Sequence, residues 1–481
     1  MSTDLVTTER DELSPLARLA IPGLAEWLGW GIRGQIGHER GAMIPGSLVG
    51  LSLALTASDP EIRRRAGLMG AAGAMGTSFG GTETYGQTIG LTMSETRDET
   101  YWWGMLGLAI KGGAWIGLSG TYLGMAASDK NYTPLELLWL TGAMTALWHL
   151  GVETVNRPHE PPERLPRFYF SGGSPESAPR PEVWAGQWFA LLGLLGYVAL
   201  VRGDLRAAIM GAYGILGGAA GFSGAQAIQA WARGAGVMKS EGLYRYLDWW
   251  KVMETTYGFI AGTCLGAGMM VAEAAGEPLR ARKEVSLLQA MIGRAAGGYA
   301  LGSDLAERPW TGPAMDSMVI GNAAIANAFA CDVSAWMETL PLVHTYTTKN
   351  TIEYYRNEAG LEAAVPAVKR WSCVAGAALS AVSALLARAE RSGSRCAAAA
   401  GLLLAAWGQT TLSHVKMLMD RQMLEPDERG AKALPACDMV KRVIRGSKER
   451  QPGQFGTETA FTVAALVLTG LVAWVLSKRR D

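Results

Sequence analysis

Cysteine, histidine and net charge are all scarce in this chain of 481 residues. The five cysteines, Cys264, Cys331, Cys373, Cys396 and Cys437, have no CxxC spacing, and their odd number excludes a complete disulfide framework. They read as small packing residues. Five histidines leave little for a metal, and His38-Glu39-Arg40 lacks the second histidine of HExxH, so no metal or other cofactor is expected. The 44 Lys+Arg and 43 Asp+Glu nearly cancel to +1, which removes nucleic-acid binding driven by charge. No G-X-Y period accompanies the glycines, which excludes collagen, and 49% hydrophobic residues with 17 Trp exclude a disordered chain. The first twenty residues, MSTDLVTTERDELSPLARLA, carry acids and lack the basic region and apolar core of a cleavable signal peptide, so insertion by internal helices is expected.

What the chain does have is long apolar runs. Thr457–Leu476, TETAFTVAALVLTGLVAWVL, is uncharged from Thr459 and is followed by Lys478-Arg479-Arg480; about 20 such residues cross a bilayer core. Stretches with few charges recur at 42–57, 66–93, 102–126, 133–152, 184–201, 207–232, 252–272, 284–302, 314–343, 366–387 and 396–413. The expectation is an all-α, polytopic membrane bundle of about 11–13 transmembrane helices, lodged in the cell (inner) membrane. A mean hydropathy of +0.11 is low for such a bundle and favours the rival, a soluble helical toroid. The polar segments at 153–183, 344–365 and 416–456 account for the dilution.

Punctuation divides the chain. Residues 1–152 form a first helical half. Arg157–Glu182 holds seven prolines in 26 residues, so 153–183 is expected as an extended extramembrane loop without regular helix. A second membrane half follows at 184–302, a third helical section at 303–415, a polar segment at 416–456 and a last transmembrane helix at 457–477.

Residues 65–80, RAGLMGAAGAMGTSFG, match 206–221, RAAIMGAYGILGGAAG, at eight of sixteen positions. Before each block lies an apolar helix and a polar turn; after each comes a Trp pair, Trp102-Trp103 or Trp249-Trp250. Four spans separate the copies, an even number, so a parallel internal repeat is expected, a recurring plan in transporters. A weaker third copy starts at Arg395. Glycines every three or four residues, Gly67 to Gly80 and Gly211 to Gly224, give each glycine helix a bare face for close helix packing. GAAGAMG is no dinucleotide fingerprint, since its spacing differs from GxGxxG and no strand precedes it.

Candidate site residues follow from polar groups in apolar surroundings. Trp30–Gly41, WGIRGQIGHERG, gathers Arg33, Gln35, His38, Glu39 and Arg40 among glycines, either as an unwound stretch with an arginine clamp for anions or as a polar turn. Glu83 lies inside an apolar stretch with Tyr85 and Gln87 nearby; an intramembrane carboxylate faces a cavity, a cation or a proton path, the alternative being a buried pair with a lysine such as Lys111. Gln226 and Gln229 occupy the same neighbourhood in the second copy, Gln409 and His414 in the third. Lys251 and Glu254 share a helix face, and Asp332 interrupts the span at 314–343.

These residues suggest a transporter of a small polar or anionic solute, working by alternating access between repeated units with Na+ or H+ as coupling ion. Its partners are the lipid bilayer and the solute, without nucleic acid, and an oligomer is compatible with the sequence. The alternatives are an integral membrane transferase or hydrolase acting on a lipid-linked substrate, which the absence of a nucleophile motif disfavours, and a non-catalytic scaffold or channel.

Overall fold

The computed structural model describes residues 13–33, 39–81, 83, 85–93, 97–172, 178–237, 249–276 and 279, with short helical pieces between 467 and 475. Gln35, His38, Asp332, Gln409 and His414, the third copy and the sections 303–415 and 416–456 lie outside the described residues. The backbone of Glu39 and Arg40 is described, their side chains are not.

Among the described residues the regular structure is helical: α1 (Pro15–Arg33), α2 (Glu39–Thr56), α3 (Pro60–Arg64), α4 (Ala66–Gly80), α5 (Gly86–Met93), α6 (Arg97–Ala126), α7 (Pro134–Val155), α8 (Trp184–Gly196, extended by a π turn to Val201), α9 (Leu205–Gly234) and α10 (Trp249–Ala275). Among the described residues four segments are long and apolar enough to cross a membrane, 135–155, 184–201, 205–234 and 249–275, which marks the chain as a membrane protein. Their apolar side chains are not all turned inward. On α9, Leu205, Leu216, Ile228 and Trp231 are exposed, and Trp139, Leu192 and Phe259 are exposed on α7, α8 and α10, as a lipid-facing surface requires.

Helix starts follow local chemistry. Thr133 and Glu136 form a capping box at the start of α7, with Pro134 in the first turn, and the Asp204 carboxylate accepts from Ala207 N at the start of α9. Asp204 also accepts from the buried Tyr132 hydroxyl at 2.6 Å, tying the α6–α7 turn to the start of α9.

Six helices close into a ring: α1 packs on α2, α2 on α4, α4 on α6, α6 on α9, α9 on α10, and α10 back on α1. The glycine faces make this closure possible. A Cβ on Gly46 or Gly73 would overlap the other's carbonyl oxygen across α2 and α4, and Gly112 and Gly218 stand in the same relation across α6 and α9. On α10, Gly258, Gly262 and Gly266 lie one turn apart against the backbone of α1 at Glu26, Pro22 and Arg18. Gly218→Val should therefore force α6 and α9 apart, costing about 1–3 kcal/mol or more. A lowered thermal midpoint in detergent checks it, with Ala220→Val on the exposed side of α9 as the neutral control.

The apolar stretch 66–93 is not one helix. α4 ends at Gly80 and α5 begins at Gly86. The last carbonyls of α4 find donors elsewhere: Gly81 N tightens onto Ser78 O, Trp115 Nε1 donates to Thr77 O at 2.7 Å, and Gln187 Nε2 donates to Gly80 O at 3.1 Å. The Trp115 ring occupies the space that a side chain at Gly80 would need.

Candidate functional site

The break between α4 and α5 opens onto two buried charge clusters. The first lies inside the ring. Arg33 ends α1, where a cation suits the helix C-terminus, and Glu254 lies in the second turn of α10. Glu254 gathers donors from several elements. Its Oε1 accepts from the Tyr85 hydroxyl at 3.1 Å and Trp250 Nε1 at 3.0 Å, with Arg33 Nη1 at 3.9 Å; its Oε2 pairs with Lys251 Nζ at 2.6 Å. Arg33 Nη1 donates to the Tyr85 hydroxyl at 2.5 Å.

Aromatic rings enclose this network. The Arg33 guanidinium carbon lies 5.1 Å from the Trp30 ring, 5.4 Å from Tyr85 and 5.1 Å from Trp115, so the cation is held on ring faces as well as by oxygen. Phe222 from α9 packs edge-on to Tyr85 and stacks on Tyr257 of α10, which meets Trp30 edge-on. Side chains from α1, α6, α9 and α10 thus surround one buried charge network, with Tyr85 reaching in from the break. Arg33 and Glu254 are both at least 98% buried there.

The second cluster fixes the proline-rich segment. Lys111, fully buried on α6, places Nζ 3.1 Å from Glu83 Oε1 and 2.7 Å from Glu182 Oε1, and donates to Thr88 Oγ1 at 2.9 Å. Glu182 also accepts from Ser171 Oγ at 2.7 Å and Phe170 N at 3.0 Å, while Glu83 Oε2 accepts from Val183 N at 3.1 Å. The 157–183 segment carries no helix in its described part, and it does not extend away from the protein throughout: Phe170, Ser171 and Glu182 are buried. Phe170 is buried against Gly107, Trp103 and Trp184. Tyr169 donates to Arg180 O at 2.9 Å, and burial pushes its phenol up to about 12, so it remains a donor throughout the ordinary pH range.

The structure thus sorts the sequence candidates. Arg33, Tyr85 and Glu254 come together in the first cluster. Glu83 lies outside it, paired with Lys111. Gln87 binds the proline-rich segment through both ends of its amide, donating to Ala178 O at 2.9 Å and accepting from Arg180 N at 3.1 Å. Gln226 donates to Thr92 Oγ1 at 2.7 Å; its Oε1 and that of the buried Gln229 have no hydrogen-bond partner among the described residues. Three buried side chains carry no sequence expectation: Glu182, Trp115 and Glu26. Glu26 is the one with a legible signal, an acid within the apolar α1. No group of His, Cys, Asp and Glu suited to a metal ion occurs among the described residues.

Comparison with family models, with curated proteins and with solved structures finds no match to this chain.

Proposed function

We propose that the chain is a polytopic membrane transporter of a small anionic solute, with the Arg33–Glu254–Lys251 chamber as its binding site. The observation that carries the reading is the convergence of two buried cations on one carboxylate among packed aromatic rings. Such a carboxylate holds the place of an incoming one. A solute carboxylate or phosphate exchanges with Glu254 on the Arg33 fork and the Lys251 ammonium, and the rings keep water away while it does so. The solute displaces Glu254 from cations already in place, so it need not induce a site of its own.

The repeat supports alternating access. The arginines that open the two matching blocks act alike: Arg65 donates to Ala126 O and Ser128 O, and Arg206 to Ala127 O, so both cap the C-terminal end of α6. Shifted by the offset of the match, α4, the break and α5 together cover the length of the unbroken α9. The first copy is therefore the discontinuous member, and its break supplies Tyr85 to the chamber. Discontinuous helices at a repeat interface are where transporter sites form.

Exchange with Glu254 has an unusual consequence. Glu254→Gln removes the competing carboxylate, so an anionic solute is expected to bind about tenfold tighter or more, while net transport falls because the solute is no longer displaced. Equilibrium binding and liposome uptake, measured on the same variant, check both halves. Weaker anion binding by this variant would instead make Glu254 the ligand of a cationic solute.

A further inference from the structure

Glu26 stands in the middle of α1 with 0% exposure, and it takes no part in either charge cluster. Its Oε1 accepts one hydrogen bond, from Trp30 Nε1 at 3.3 Å, and its Oε2 has no hydrogen-bond partner among the described residues. The backbone around it is closed tightly. A Cβ on Gly262 would come 2.9 Å from Glu26 Cβ, and one on Gly258 would come 2.8 Å from Glu26 O, so α10 lies against this turn of α1 without a gap. The groups on the helices packed on α1 do not offer it a cation. On α10, Tyr257 carries a buried hydroxyl with no partner among the described residues, Cys264 is a free thiol, and Lys251 and Glu254 are committed to each other. Glu273 pairs with Arg18 two turns away, toward the other end of α1. The described side chains of α2 bear no charge; the side chains of Glu39 and Arg40 are not described.

A carboxylate so enclosed, with one donor and no ion pair among the described residues, is far more costly than a neutral acid. We propose that Glu26 carries the coupling proton of this transporter, resting as a neutral carboxylic acid and releasing its proton when α1 separates from α10. The assignment deepens the transport reading above and rests on it for the word coupling. Sodium fits the place less well, since a cation needs several oxygens around it, whereas one donor indole and the bare glycine face surround this carboxyl.

Trp30 is the physical link. Its ring edge donates to Glu26 and its face holds the Arg33 guanidinium at 5.1 Å, so one rigid side chain touches both the proton site and the solute clamp. Ionising Glu26 strengthens its pull on the indole N–H and thereby biases the ring that supports Arg33. By linkage, solute binding at Arg33 biases the proton affinity of Glu26 by the same factor. In the step itself the acid O–H bond breaks, its electron pair stays on the carboxylate, and the proton leaves to water admitted between α1 and α10.

Two measurements test this. The infrared difference spectrum of wild type minus Glu26→Gln, recorded on purified protein at neutral pH, is expected to contain the carbonyl band of a protonated carboxylic acid, and Glu26→Asp is expected to shift that band without abolishing it. A difference spectrum showing only lost carboxylate bands overturns the proposal. This arm reads Glu26 whether or not any solute moves. In liposomes, an inward proton gradient should accelerate solute uptake by wild type several-fold and leave uptake by Glu26→Gln unchanged. Acceleration that survives in Glu26→Gln overturns it too, whereas a wild type that moves no solute counts against the transport reading and leaves the infrared result standing.

Discussion

Lys111→Met is expected to destabilise the protein by about 3–5 kcal/mol, because it leaves the carboxylates of Glu83 and Glu182 buried without the ammonium that both face. The effect is that of a broken buried network and not simply of one lost contact. Glu83 and Glu182 are at most 2% exposed, so neither reaches water to recover its hydration. Glu83 connects the α4–α5 break, and Glu182 the end of the proline-rich segment, to one point on α6. Losing Lys111 should thus loosen the segment as well as lower the thermal midpoint, and cleavage after Arg164 or Arg167 by trypsin should quicken. The triple variant Lys111→Met, Glu83→Gln, Glu182→Gln removes every charge of the cluster and should recover much of the loss, since neutral replacement of a whole buried ionic group is often tolerated. An unchanged midpoint in the single variant would mean that the cluster is hydrated.

The second large effect falls on binding. Arg33→Met is expected to weaken binding of the anionic solute roughly a hundred-fold, about 3 kcal/mol, as truncating one partner of a buried charge pair does. Methionine keeps much of the volume among Trp30, Tyr85 and Trp115, so the chamber should stay closed and the protein folded. Arg33→Lys separates two contributions. A lysine retains the charge but loses the flat fork that rests on the Trp30 and Trp115 rings, and should recover only part of the affinity. Equal affinity in wild type and Arg33→Met would move the anion away from this chamber. Glu254→Gln is expected to change binding in the opposite direction, and two neighbouring residues with opposite signs are hard to reproduce by general damage.

Much of the helical layout is legible in the sequence. The charge-poor runs 207–232 and 252–272 lie within Leu205–Gly234 and Trp249–Ala275, because apolar length and flanking polar turns set those ends. The break between α4 and α5 is not legible. The residues there are polar enough for a helix end but equally at home in a glycine-rich helix, and what decides is a set of distant donors, Trp115 and Gln187, that only the packed structure supplies. Glu182 is hidden for a related reason. It sits in a proline-dense run whose composition speaks for solvent, while its burial depends on Phe170 filling the face opened by Gly107.

The site is half legible. Arg33 and Glu254 stand out as charges beside apolar runs, yet no spacing relates two residues so far apart in the chain, and Tyr85 joins them only because the helix breaks beside it. Glu83 follows the same rule of one acid in an apolar stretch, and its partner Lys111, also visible as a lone cation in the apolar length of α6 after Glu99, makes it part of the frame. Glu26 obeys the rule as well. It differs from Glu83 in having no ion-pair partner among the described residues, and that difference belongs to packing, which a pattern of residue types does not encode.

Reconstituting the purified protein in liposomes, offering a pooled mixture of small anionic metabolites under proton and Na+ gradients, and analysing lumen and exterior by mass spectrometry is the most direct test of transport. Transport through the Arg33–Glu254–Lys251 chamber predicts that one class of anion accumulates inside unchanged, and that Arg33→Met liposomes resemble empty ones. A chemically altered product, or equal accumulation by wild type and Arg33→Met, would contradict it.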